Sequence, residues 1–212
     1  MMPDAPTTRR FGFFMFPKFE ELDLIGPWEM ATMWRDNAGG PECLTVAEQA
    51  GPITCAKGLT TMAEHDFASC PPLDFLLVPG GTAARRESRN SQVLEWLRQQ
   101  ATSCQHVLSV CTGSWILGAA GLLDGKRATS HWQGTRRLAR HPGVTVVEDQ
   151  RWVRDGNIWT SAGVSAGIDL TLGFIEAIDG PDAAAAVQLD AEYFPDGKLY
   201  GGNAETHAAS RS

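Results

Sequence analysis

An apolar strand that runs into a helix without a linker, with a cysteine at the junction, constrains this chain more than any other feature. Residues 107–123 read VLSVCTGSWILGAAGLL. The first residues suit a buried strand, and helix-forming residues begin directly after Thr112. Cys111 therefore occupies a sharp strand-to-helix corner. Elsewhere the chain keeps the same alternation. Arg10–Phe16 (RFGFFMF) predicts a buried strand, followed by a helix from about Pro27 to Arg35 with Pro27 in its first turn. Leu44–Ala50 predicts a second strand, and residues 53–67 a hairpin around Lys57-Gly58. DFLLVPGG, residues 74–81, has the form of a central parallel strand opening into a loop. Further helices are predicted over Asn90–Ser103, Gly113–Leu122, 165–178 and 182–193. Further strands are predicted at His106–Val110, 127–132, Gly143–Glu148, Arg151–Arg154 and Asn157–Ser161. Strands separated by helices of this length imply an α/β fold: a three-layer α-β-α sandwich with a mostly parallel central sheet, flavodoxin-like. One domain is expected over residues 10–195, with an extended or disordered start at 1–9 and a loose Gly/Ala/Ser-rich tail at 196–212.

Composition narrows the partners. A net charge of −7 exerts no general pull toward nucleic acid or an anionic membrane. No run approaches the about 18 apolar residues that a membrane span needs. The apolar FGFFMF is cut by Pro17 and Lys18, too short for a signal-peptide core, so a cytoplasmic location is expected. The five cysteines (43, 55, 70, 104 and 111) have no CxxC spacing, and no HxH or HExxH occurs. Neither a disulfide framework nor a metal site is expected.

In such sheets ligands bind beyond the carboxyl ends of the strands, so the chemistry is sought there. Cys111 reads either as a small core residue or as a nucleophile held on a strained elbow. Unpaired N–H groups and the dipole of the following helix would favour its thiolate, lowering its pKa from about 8.5 toward neutrality. The N–H of Thr112 and the backbone of Gly80-Gly81 are candidate oxyanion donors. Asp23, flanked by Leu22 and Leu24, is either a helix N-cap or a general acid/base facing Cys111. A carboxylate and a thiolate side by side repel, so a protonated Asp23 titrating jointly with Cys111 is one solution. His131 is a possible accessory base or a packed wall. Trp28, Trp115 and Trp132 read either as pocket lining or as core.

The order ELDLIGP, FLLVPGG, SVCTGSWILGAAGLLDGKRATSHW and WTSAGVSAGIDL resembles the ThiJ/PfpI superfamily, with its class I glutamine amidotransferase-like fold, over about residues 10–195. Asp at position 23, CTGS, LGAAGLLDGKRAT and AGID are most similar to the isocyanide (isonitrile) hydratases. That resemblance implies a homodimeric, cofactor-free enzyme that adds water to a small-molecule isocyanide to give an N-substituted formamide. It implies Cys111 as nucleophile, Asp23 as proton donor, a thioimidate intermediate and Thr112 as stabiliser. The loop after VPGG continues as TAARRES, whose arginines add positive charge. The same motifs occur in sensor domains of AraC-type regulators. A cysteine-based sensor, or a different hydrolase or glyoxalase-like activity, are therefore the alternatives. With no helix-turn-helix segment or basic patch read in the chain, direct DNA binding is not expected.

Overall fold

Past Arg10 the first strand is shut off from water: Phe11, Phe13, Phe14 and Met15 are all buried. A strand buried on both faces must lie inside a sheet covered by helices, and this one does. In the computed structural model, which describes residues 8–195, the chain begins β1 (Arg10–Met15), α1 (Glu21–Ala38), β2 (Glu42–Ala47), β3 (Gly51–Thr54), β4 (Thr60–Ala63) and β5 (His65–Asp66). It continues β6 (Phe75–Val78), α2 (Ala84–Glu87), α3 (Ser91–Ser103), β7 (His106–Ser109) and α4 (Gly113–Ala119). Then come β8 (Arg127–Ala128), α5 (Thr135–Leu138), β9 (Thr145–Val146), β10 (Trp152–Asp155), β11 (Ile158–Ser161), α6 (Ala166–Asp179) and α7 (Pro181–Asp190). The expectations for residues 1–7 and 196–212 fall outside the described residues.

The main sheet has the order β10, β11, β7, β6, β1, β2, β5. Its neighbours are parallel except for β10 and β11. Leu77 of β6 lies in register with Phe13 on one side and Leu108 on the other, at the middle of the core. Helices α1, α6 and α7 pack together, and α2, α3 and α5 pack around or beside α4. This is the mostly parallel, helix-flanked α/β sheet the strand–helix alternation implied. The hairpin around Lys57-Gly58 also forms, as antiparallel β3 and β4.

Several elements differ from expectation, among them the unexpected short helices α2 and α5 and the strand expected at Gly143–Glu148, which is only Thr145–Val146. Helix α1 starts at Glu21, so Asp23 lies in its first turn and Pro27 lies inside the helix. Without an N–H, Pro27 cannot donate to the carbonyl of Asp23 one turn earlier; burial of Leu24, Met30, Ala31 and Trp34 carries the helix through. Helix α4 ends at Ala119, where the Leu122 N–H folds back onto the Leu117 carbonyl at 3.0 Å. The strand expected at 127–132 is only Arg127–Ala128, because the Thr129 N–H donates to the Thr160 hydroxyl (2.8 Å) and a 3-10 turn at Trp132–Gly134 follows.

The start of α4 sits tightly on the end of β6. A Cβ built on Gly113 would lie 2.2 Å from the Val78 carbonyl oxygen, and a backbone atom cannot step aside as a flexible side chain does. Gly113→Ala should therefore destabilise the fold by about 2 kcal/mol or more, read as a lower urea midpoint. An unchanged midpoint would show that the contact is slack.

Candidate active site

Cys111 stands on the predicted corner in a conformation that strains a non-glycine residue, with φ of 57°. Backbone and hydroxyl contacts hold it there. Its N–H donates to the Ala162 carbonyl at 3.2 Å, and its carbonyl accepts from the hydroxyls of Ser114 (3.1 Å) and Ser130 (3.0 Å). The Gly113 N–H closes the turn on the Val110 carbonyl at 2.9 Å. Ser114 and Ser130 were legible only as members of the CTGS and RATSHW strings; their role in bracing the elbow depends on the fold.

Asp23 is fully buried and faces this corner. It is not the N-cap of α1: that position is Glu20, and the Asp23 carboxyl turns away from its own helix to accept from the Gly80 N–H (Oδ2, 2.9 Å). Gly80 has to be a glycine here. A Cβ would lie 2.5 Å from both the N and Oγ1 of Thr112 and 3.0 Å from Asp23 Oδ2. The next N–H, of Gly81, donates to the Thr112 hydroxyl at 3.0 Å. Both glycine donors expected to form an oxyanion hole are thus engaged internally: they orient Asp23 and Thr112. This corrects the expectation for Gly80 and Gly81.

Electrostatics couple the acid and the thiol. Burial raises the Asp23 carboxyl to about 7, the Gly80 N–H opposes this, the charge of Glu20 adds to it, and the Cys111 thiol and Val164 N–H oppose it. Cys111 is pushed up to about 12, by burial first and by the Asp23 charge second. The N–H and hydroxyl of Thr112 and the N–H of Val164 act in the opposite direction. Burial and the neighbouring carboxyl thus oppose the expected lowering of the thiol by the helix end, which comes from a helix of only seven residues. Access to the sulfur is narrow, with Cys111 7% exposed. Asp23 Oδ1 is buried without a well-aligned hydrogen-bond partner, although the thiol and the Val164 N–H are near enough to act on its charge.

Val164 is the residue that sequence reasoning missed. It is β-branched, yet φ is 55°, a conformation such residues rarely adopt. Its only trace in the sequence is its place in the AGVSAGID string.

His131 and the tryptophans are held by contacts of their own. His131 Nδ1 accepts from the Gln133 N–H at 3.2 Å, its ring lies against Gly163, and burial lowers its pKa while Glu20 opposes this. Trp28 packs edge-on to Phe13 in the core. Trp115 donates to the Gly134 carbonyl and lies under Arg137, and Trp132 is largely exposed. A cavity of about 540 Å³ lies elsewhere, walled by Phe14, Phe16, Ile53, Glu87 and Val93, and neither Cys111 nor Asp23 lines it.

With the corner, the buried acid and the glycine loop in place, comparison with known proteins is decisive on family. A profile described as the DJ-1/PfpI family matches residues 9–177. The chain belongs to the DJ-1/PfpI family. Among DJ-1/PfpI relatives, the isonitrile hydratase of Pseudomonas putida is 40% identical over 197 residues, covering 93% of this chain and 84% of that protein. Deglycase PfpI of Pyrococcus furiosus is 32% identical over 71% of this chain and 87% of its own length. A solved ThiJ/PfpI family protein from Pseudomonas syringae superposes with a TM-score of 0.86 at 31% identity, over 100% of this chain and 90% of that one. Among the described residues, no helix is long and apolar enough to cross a membrane.

The raised Asp23 pKa has a signature in stability. Between the ordinary carboxyl value of 3.8 and about 7 the folded state holds a proton that the unfolded state has lost. Stability must therefore fall as pH rises through that window. Asp23→Asn should remove this slope and be more stable than wild type at pH 8 by about 1 kcal/mol or more, measured by denaturant unfolding at several pH values. Parallel stability–pH curves for the two proteins would contradict the assignment.

Proposed function

We propose that this protein is an isocyanide hydratase, converting R–N≡C and water to R–NH–CHO. The observation that carries the reading is the buried Asp23 carboxyl, raised to about 7, beside Cys111 on the elbow. The 40% identity to the Pseudomonas putida isonitrile hydratase supports it.

The active form carries one negative charge on the pair, with the proton on Asp23 and the charge on sulfur. Two groups favour charge on the thiol and not on the acid, the Thr112 N–H and the Thr112 hydroxyl, while the Val164 N–H favours charge on either. The carboxyl has the Gly80 N–H on Oδ2, while Oδ1 lacks a partner. A proton on Oδ1, donated toward sulfur, satisfies that orphan.

The reaction then balances without a further reagent. The Cys111 thiolate forms a C–S bond to the terminal isocyanide carbon while Asp23 delivers its proton to the same carbon. The product is a neutral thioimidate, R–N=CH–S–Cys, with Asp23 ionised. Water adds to that carbon, and Asp23 takes one of its protons and passes it to nitrogen. The adduct R–NH–CH(OH)–S–Cys collapses as the C–S bond breaks. Its hydroxyl proton returns to Asp23, releasing the formamide and restoring the thiolate. Thr112 acts here as a stabiliser of the thiolate, with Gly80 and Gly81 as positioning residues.

Purified protein should turn over alkyl or aryl isocyanides without added cofactor. Cys111→Ala should abolish turnover, and Asp23→Asn should lower kcat/KM by about 100-fold or more. In wild type, kcat/KM should rise with pH through about 7, where the pair loses its first proton. In Asp23→Asn that limb should move upward, because the thiol must then ionise without a proton donor beside it. Full activity in Cys111→Ala would contradict the reading. Rapid consumption of methylglyoxal with no isocyanide turnover would favour the glyoxalase-like alternative.

A further inference from the structure

Val164 holds a conformation that its branched side chain disfavours, and the backbone around it offers weak support. The carbonyls of Gly163, Val164 and Ser165 accept from the N–H groups three residues on, at 3.3, 3.3 and 3.2 Å. These bonds are long for backbone pairs, which centre on about 2.9–3.0 Å. Ser165, at the start of α6, does not cap the helix with its hydroxyl. On the other flank Gly163 is fitted against the His131 ring, where a Cβ would lie 2.1 Å from Cδ2.

One residue reaches this turn from both ends. Arg151 stands just before β10. Its carbonyl accepts from the Ala162 N–H at 2.9 Å, and the Ala162 carbonyl in turn accepts from the Cys111 N–H at 3.2 Å. Its guanidinium donates to the Ser165 hydroxyl at 3.3 Å. Through Nε (2.9 Å) and Nη2 it also donates to Oδ2 of Asp169, in the first turn of α6. The Tyr193 hydroxyl donates to Oδ1 of the same carboxylate at 3.2 Å. Arg151 thus holds position 162 with its backbone and positions 165 and 169 with its side chain, and Val164 lies between them. A half-exposed ion pair of this kind adds little to global stability. A rigid guanidinium fork does fix geometry, which a flexible ammonium would not.

We infer that Arg151, anchored by Asp169, is a positioning residue for the active site: it locks the 162–165 turn so that the Val164 N–H faces Cys111 and Asp23. The inference rests on the reading of those two residues as the reacting pair, and it needs no particular substrate. The Val164 N–H favours the charged form of both. The other charges acting on the pair are the two groups themselves and Glu20, just ahead of α1. Asp169 and Tyr193 are the titratable groups bonded to each other and to the clamp.

The test is the pH profile of Cys111 alkylation by iodoacetamide in the folded full chain, followed by mass spectrometry of the Cys111 peptide. Arg151→Gln and Asp169→Ala should each move the profile to higher pH by about half a unit or more, which is about threefold less thiolate below the midpoint. The two variants separate position from charge. Losing a cation disfavours the thiolate and losing an anion favours it, so charge alone would move the two profiles in opposite directions. Arg151→Lys keeps the charge without the fork; it should also move upward, and it stands in if Arg151→Gln does not fold. Arg98→Gln, which breaks a pair with Glu95 on α3, should leave the profile unchanged. With an isocyanide as substrate, the Arg151 and Asp169 variants should lower kcat more than they change KM. A profile unchanged in Asp169→Ala or in the Arg151 variants, shifts of opposite sign, or an equal shift in Arg98→Gln would overturn the inference. Failure of wild type to turn over any isocyanide would strike the hydratase reading alone.

Discussion

The Gly80 N–H donating to Asp23 is the contact on which the site depends. It joins the end of β6 to the first turn of α1, and it does so where Thr112 closes in from the elbow. Three segments distant in sequence meet there because position 80 has no side chain. A methyl group would separate the acid from the corner and disturb the Thr112 backbone at once. Placing a carboxyl in this spot also removes it from water, and that burial, more than any neighbour, makes it a weak acid. The unusual chemistry of Asp23 is thus a consequence of packing.

Strain is concentrated around the same point. Cys111 and Val164 both occupy the left-handed region, at roughly 1–3 kcal/mol each for residues of their kind. At Cys111 the opposing contacts are visible: the Ala162 carbonyl and two serine hydroxyls, each worth about 1 kcal/mol. The result is a sulfur presented to backbone donors on a frame that cannot relax. A relaxed loop would let the thiol rotate into the core, where it would be one more inert cysteine like Cys43 or Cys104, which burial also pushes up to about 12.

Much of this architecture was legible in the sequence, for reasons that are local. The apolar runs of β1, β6 and β7 admit only buried strands, and the absence of a linker after Val110 forces the elbow. An acid between two leucines flagged Asp23. Where reading failed, the deciding contact was not local. Pro27 has the look of a first-turn residue, yet α1 starts at Glu21, and the buried face of the helix carries it through the missing hydrogen bond. Gly80 and Gly81 looked like free donors, since nothing in VPGG reveals that Asp23 and Thr112 take up those N–H groups. Val164 carries no signal beyond its place in AGVSAGID, because positive φ at a β-branched residue is imposed by the loop around it. Nothing local shows that burial and a facing carboxyl oppose the lowering of the thiol that the helix end favours.

In the proposed reaction Asp23 keeps its proton while Cys111 carries the charge. A joint pH titration tests it most directly, following the thiolate ultraviolet absorbance as the difference between wild type and Cys111→Ala, and the Asp23 carbonyl stretch by infrared difference against Asp23→Asn. Thiolate absorbance should appear while the protonated carboxyl band persists, the pair titrating jointly with sulfur giving up the first proton. Loss of that band before any thiolate forms would contradict a proton held on Asp23 with the charge on sulfur.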